Sequence, residues 1–176
     1  MLTGKKVKLV PLEKDDLAKS RSWVNDASMN SRMLRVLPVT QGEQEKWYQK
    51  IVDDLTKIVF AIKTLKNEEH IGNTGLYHVD WIHRRAELWI LIGARNSWRQ
   101  GVGSEVVSLM QGYAFKSLNL NKLYLNVGVN NKQAIALYKK LDFLQEGMLK
   151  EHYYIDGRYV DIVTMAILRS DYAAQE

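Results

Sequence analysis

The sequence predicts an α/β domain, more narrowly α+β, on a mixed, mostly antiparallel sheet of seven strands with about four helices. Three observations lead there. The hydrophobic period runs strand, two helices, three strands, helix, strand, helix, two strands along 176 residues. The three consecutive strands have only short connections, which suits an antiparallel meander. One strand–helix–strand unit, near residues 86–129, has the crossover a parallel pair needs.

Residues 7–12 read as a short strand containing Pro11. Residues 13–26 follow with helical spacing and bring Leu17, Arg21 and Val24 near one face. Residues 27–39 read as a loop or broken helix ending near Pro38. Thr40 and Glu43 form a Thr-x-x-Glu capping box that opens a helix to about residue 54, with Trp47, Ile51 and Leu55 recurring every fourth residue. The period then changes, and 58–65, 71–79 and 84–92 are the three strands of the meander. A helical face from 100 to 118 carries Val102, Val106, Leu109 or Met110, and Tyr113. In the strand 122–129, Leu123, Leu125 and Val127 alternate against Tyr124 and Asn126. Residues 131–141 form a helix with Ala134, Leu137, Tyr138 and Leu141 on one side. A hairpin of 143–154 and 159–168 closes the chain around Asp156-Gly157, a strong turn signal. No repeat or linker interrupts this order, so 1–176 reads as one domain with a core of about 5–170.

Composition narrows the function classes. Hydrophobic residues at 46% and charged residues at 26% fit a chain that buries a core without covalent staples. There is no cysteine, which excludes a disulfide framework, a thiolate metal site and a catalytic thiol. His78 and His83 lie five apart with no accompanying ligand spacing, so no metal is expected. No apolar run reaches signal-peptide or bilayer length, and the expectation is a cytoplasmic protein without a membrane partner. The net charge of +5 is dispersed over pairs such as Lys5-Lys6, Arg84-Arg85 and Lys139-Lys140. That is no nucleic-acid stripe; it suits attraction to an anionic small molecule.

The segment 90–107 runs from a strand through a loop to a helix, with Gly101 and Gly103 where the helix begins. Free N–H groups at a helix start attract anions, and glycine lets phosphate approach the backbone. Val106 replaces the third glycine of a dinucleotide site, and no Gly-Lys-Ser/Thr ends a P-loop. Taken alone, the turn reads equally as a phosphate site or a simple glycine-eased bend.

The segment 126–143 brings in a second element: Asn131, Ala134, Ile135, Leu137, Tyr138 and Phe143. Together with the glycine turn it resembles the GNAT acetyltransferase family, which pairs a Gly-x-Gly turn with such a helix at about this separation. Trp98 before Arg99-Gln100-Gly101, with Ser104-Glu105 after, is similar to the branch of ribosomal-protein N-terminal acetyltransferases. The resemblance spans roughly residues 5–170. It implies that the central parallel pair forms an acyl-CoA cleft, with acetyl-CoA as co-substrate. The backbone of Gln100, Gly101, Val102, Gly103 and Ser104 would hold the pyrophosphate, with Arg99 as a cationic helper. Backbone groups of Leu91, Ile92 and Gly93 would pair with the pantetheine arm like an added strand. Asn131 would hydrogen-bond the cofactor, and Tyr138 would give a proton to the departing thiolate.

Acyl transfer to an amine also needs a base. Alternation along residues 86–92 puts Glu87, Trp89 and Leu91 on one face, and Glu87 is the candidate. Glu105, near a helix start, reads as structural. Asp142 stands where the family has glycine before Phe143; aspartate tolerates the left-handed conformation that ends a helix. Gly103→Val is expected to abolish cofactor binding and spare the fold. The acceptor reads as a protein N-terminus or small primary amine, with an amino sugar as the alternative. Helices containing Trp23, Met29 to Leu37 and Trp47 would wall its site. A polyamine calls for a dense acidic cleft, which Asp53-Asp54 and Glu43-Glu45 do not establish. A non-catalytic acyl-CoA-binding module is the rival from another class, and a homodimer is compatible with this reading.

Overall fold

The architecture is seen in a computed structural model that describes residues 1–29, 33–34 and 36–173. Its strands are β1 (Leu2–Thr3), β2 (Val7–Pro11), β3 (Ile58–Thr64), β4 (His70–Asp80), β5 (Arg85–Ile92), β6 (Lys122–Gly128), β7 (Leu144–Ile155) and β8 (Arg158–Leu168). The α-helices among the described residues are α1 (Leu17–Val24), α2 (Gln41–Asp53), α3 (Val102–Gly112), α4 (Lys132–Lys140) and α5 (Arg169–Ala173). One sheet contains all eight strands in the order β1-β2-β3-β4-β5-β6-β8-β7. The mixed, mostly antiparallel sheet is as expected, with one strand and one short helix added. Strand β1 is two residues long, too short for any period to reveal; it folds back on Leu9 and Lys8 through a turn closed by Gly4 N–H to the Val7 carbonyl, 2.9 Å.

Among the described residues only β5 and β6 pair in parallel, and they touch over Arg85↔Lys122, Ala86↔Leu123 and Glu87↔Tyr124. Beyond Glu87 they part. Strand β5 stays on β4 as far as Gly72↔Ile92, while β6 stays on β8 as far as Gly128↔Ile162. Each strand is held by its outer neighbour, so a wedge opens between them in the middle of the sheet. This wedge positions the site.

Alternation on β5 decides which face packs where. Ala86 and Leu88 join the main core with Val106, Met110, Leu123 and Leu125 beneath α3. Leu91, on the other face, packs with Trp23 and Met29, and Trp89 packs against that cluster. Helix α1 buries Leu17, Ser20 and Trp23, so the expected face of Leu17, Arg21 and Val24 is rotated. The reason is a serine that polarity alone would place outside. Ser20 Oγ donates to the Asp16 carbonyl at 2.9 Å and accepts from Asn73 Nδ2 at 2.8 Å, so it is buried because it is satisfied.

The Thr40–Glu43 capping box is present: Glu43 N–H donates to Thr40 Oγ1 at 3.3 Å and Thr40 N–H to Glu43 Oε2 at 2.8 Å. Trp47 and Ile51 pack on Leu12, Leu17 and Ala61, but Leu55 lies past the helix end and is 82% exposed. Helix α3 continues through Tyr113–Ser117 with π-type bonding, Leu118 N–H reaching the Tyr113 carbonyl at 3.0 Å.

The end of α4 answers the question raised by Asp142. Its φ is 63°, in the left-handed region. Phe143 N–H bonds the Tyr138 carbonyl at 3.0 Å and Asp142 N–H the Lys139 carbonyl at 3.1 Å. This is a Schellman cap, completed by contact of the Phe143 and Tyr138 rings at 5.7 Å between centroids. The cap therefore pins the helical turn that carries Tyr138.

Candidate active site

The wedge between β5 and β6 widens into a cleft of about 530 Å³. Strand β5 contributes Glu87, Leu91 and Ile92, and the turn into α3 contributes Arg99, Gly101, Gly103 and Ser104. Asn126 comes from β6, and Asn131 and Tyr138 from the start and body of α4. Nine of the twelve sequence-predicted site residues thus meet on one cavity. Met29, Met33, Leu34 and Trp89 add an apolar wall. Residues 30–32 and 35, part of the expected acceptor wall, lie outside the described residues.

Gly101 has φ 79° and stands at the N-cap of α3, so the chain enters the helix through a bend that side chains disfavour. The N–H groups of that first turn have no helical partner and face an anion-ready end. Glu105 is structural here: its Oε1 accepts from Lys6 N–H at 2.8 Å and Val7 N–H at 3.2 Å, fastening β2 to the start of α3. Gly103 has a second duty. A Cβ there would come 3.1 Å from Leu137 Cδ1 on α4, next to Tyr138. Gly103→Val is therefore expected to destabilise the fold as well as the turn, by about 1–3 kcal/mol as an overpacked contact. A thermal melt checks this; an unchanged midpoint would show that α4 can give way freely.

Gly93, Gln100 and Val102 are not among the residues that line the cavity, although the part expected of Gln100 and Val102 falls to their backbone, not to their side chains. Gly93 N–H is bonded to the Ile71 carbonyl at 2.9 Å, and the Trp23 ring covers its Cα where a Cβ would stand. Val102 buries its side chain in the core, 5% exposed. The Gln100 side chain folds back onto the Asn96 carbonyl at 2.5 Å. The Gly93–Ile71 bond also corrects the strand reading. Residues of an antiparallel strand alternate between bonding one neighbour and the other, so Leu91, in register with Asn73, directs its backbone to β4. Ile90 and Ile92 turn theirs to the open side, and the Ile92 carbonyl already accepts from Trp98 Nε1 at 2.8 Å. Ile92 N–H and the backbone of Ile90 are what β5 can offer a ligand.

Asn131 caps α4, its Oδ1 accepting from Ala134 N–H at 3.2 Å, which leaves its NH₂ group for the cleft. Tyr138 is 7% exposed, and no hydrogen bond holds its hydroxyl among the described residues. Burial pushes its pKa up to about 12, because the phenolate would lose its water. The hydroxyl is thus kept protonated as a donor.

Glu87 sits at the mouth of the wedge, where the parallel pairing stops. Its Oε1 accepts from Asn126 Nδ2 at 3.0 Å, and Asn126 Oδ1 accepts from Thr164 Oγ1 at 2.8 Å. Since a carboxylate can only accept, the asparagine must present its NH₂ to Glu87, and Thr164 completes that orientation. His78 Nε2 lies 3.6 Å from Glu87 Oε2. It gets there through a register break between Tyr77 and Asp80, with φ 52° at His78. Sequence reasoning missed Asn126 and His78. For Asn126 a signal existed, since it alternates out of the core face of β6; a bulge leaves none.

The arrangement combines a carboxylate, a protonated hydroxyl and a helix start open to anions around one cavity. Residues 6–144 match the Acetyltransferase (GNAT) domain family. The chain belongs to this family. It is an N-acetyltransferase that uses acetyl-CoA. Spermidine N(1)-acetyltransferase of Vibrio cholerae serotype O1 is 32% identical over 161 residues, 92% of each chain. The Escherichia coli K12 protein of the same name is 32% identical over 175 residues, 99% of this chain and 92% of that one. A crystal structure of the Vibrio cholerae spermidine N-acetyltransferase in complex with CoA and spermine matches with a TM-score of 0.90 at 32% identity, covering 95% of this chain and 98% of that chain. Among the described residues no helix is long and apolar enough to cross a membrane, and no group of three or more His, Asp or Glu side chains is placed to hold a metal ion.

Proposed function

We propose that this enzyme moves the acetyl group of acetyl-CoA directly to a primary amine of a polyamine. The observation that carries the transfer is the convergence of Glu87, Tyr138 and the Gly101 turn on one cleft. The turn's N–H groups and Arg99 receive the pyrophosphate, and the backbone of Ile90 and Ile92 runs beside the pantetheine arm. Glu87, held by Asn126, takes a proton from the ammonium, directly or through one water. The neutral nitrogen attacks the thioester carbonyl, the C–N bond forms, the nitrogen releases its second proton to water, and the C–S bond of the tetrahedral intermediate breaks. Tyr138 gives its proton to the leaving sulfur.

The polyamine acceptor rests on the named acceptor of the two full-length relatives. A second reading, an amine with an apolar flank such as a protein N-terminus, is favoured by the cleft lining. Glu87 is its one carboxylate among the described residues, beside Met29, Met33, Leu34 and Trp89. The acids weighed in the sequence are engaged elsewhere: Glu43 in a cap, Glu45 with Gln41, and Asp54 with Lys57 and Thr56. Thiol release from acetyl-CoA with spermidine, spermine, an N-terminal peptide and an amino sugar separates these readings. Spermidine is expected to give the highest kcat/KM. A peptide that outpaces it would favour the second reading, and no release with any amine would favour a binding module.

A further inference from the structure

We propose that Lys6, which lies outside the cleft just before β2, sets the orientation of the turn that meets the acyl donor's phosphates. Lys6 Nζ donates to the Gln100 carbonyl at 2.5 Å. The ammonium stands over the bend, 3.2 Å from where a Cβ of Gly101 would be. The backbone of the same lysine is fastened to α3, because Glu105 Oε1 accepts its N–H at 2.8 Å and that of Val7 at 3.2 Å. One residue therefore grips the turn on both sides of Gly101.

Peptide geometry gives this grip a consequence. In a planar trans peptide the C=O and the following N–H point in opposite directions. Drawing the Gln100 oxygen to Lys6 therefore turns the Gly101 N–H away from Lys6, and Gly101 is one of the residues that line the cleft. The opposite orientation would place a carbonyl oxygen where a phosphate must come. Nothing local to the turn prevents that flip, since glycine at φ 79° has no Cβ to resist it. The restraint comes instead from a residue ninety-four positions away in sequence.

This inference rests on reading the turn as the pyrophosphate site, and the experiment tests the two separately. Steady-state kinetics are measured for wild type, Lys6→Met and Lys6→Arg with acetyl-CoA and with S-acetylpantetheine, which carries no phosphate. Lys6→Met is expected to raise the KM for acetyl-CoA about tenfold, equivalent to about 1.4 kcal/mol, as for one charged hydrogen bond. The kcat should change by less than about twofold, the KM for S-acetylpantetheine should stay as in wild type, and Lys6→Arg should recover most of the loss. An unchanged KM for acetyl-CoA, or equal losses with both donors, would overturn the role of Lys6. A wild-type enzyme that does not distinguish the two donors would overturn the pyrophosphate reading itself.

Discussion

Tyr138→Phe is expected to lower kcat by roughly a hundredfold to ten-thousandfold, the usual range for a lost general acid. KM for acetyl-CoA should change little. The ring remains, and with it the contact to Phe143 that completes the cap of α4. What disappears is a hydroxyl that no hydrogen bond satisfies among the described residues and that burial keeps protonated, with a pKa of about 12. An ordinary tyrosine titrates near 10, so the wild-type donor should persist at alkaline pH where an exposed one would be ionising. Stability carries the same signature. The folded state holds this proton more tightly than the unfolded chain, so the contribution is complete below about pH 10 and is lost as pH rises toward 12. Melting temperatures measured from pH 9 to 11 should therefore fall less steeply for Tyr138→Phe. An unchanged turnover in a chemistry-limited assay would assign the proton to water instead.

Glu87→Gln should lower kcat/KM at neutral pH by about the same range, with a different pH signature. Glutamine keeps the size of the side chain and an oxygen that can accept from Asn126, but it is not a base. An alkylamine titrates near 10, so at neutral pH nearly all of the acceptor arrives charged. The deficit should shrink as pH rises, because the acceptor then deprotonates without help. A profile parallel to wild type at every pH would mean that Glu87 orients the acceptor and moves no proton. The two substitutions are separable: one loss is relieved by alkali, and the other is not.

The acceptor is the part of the site that composition could not reach. Counting acidic pairs in the sequence argued against a polyamine, yet Glu43, Glu45 and Asp54 are all committed to local hydrogen bonds. Their number along the chain therefore says nothing of the charge in the cleft. The relatives' names supply the polyamine proposal, and the apolar wall keeps the alternative testable.

What the sequence determined by itself was whatever depends on neighbours within a turn or a strand. The order of elements, the Thr40 cap, the two faces of β5, and the glycine turn with its partner helix were legible because periodicity and capping are local. What only the tertiary structure decided was where separate segments meet. Ser20 is buried because Asn73, far along the chain, satisfies it. The backbone of Ile90 and Ile92, not of Leu91 and Gly93, faces the opening because β4 takes the alternate bonds. Glu87 meets Asn126 because the parallel strands separate just beyond that point. Lys6 reaches Gln100 because β2 packs against the start of α3. Side-chain spacing records which face a residue takes, but a hydrogen bond between distant segments leaves no period in the chain.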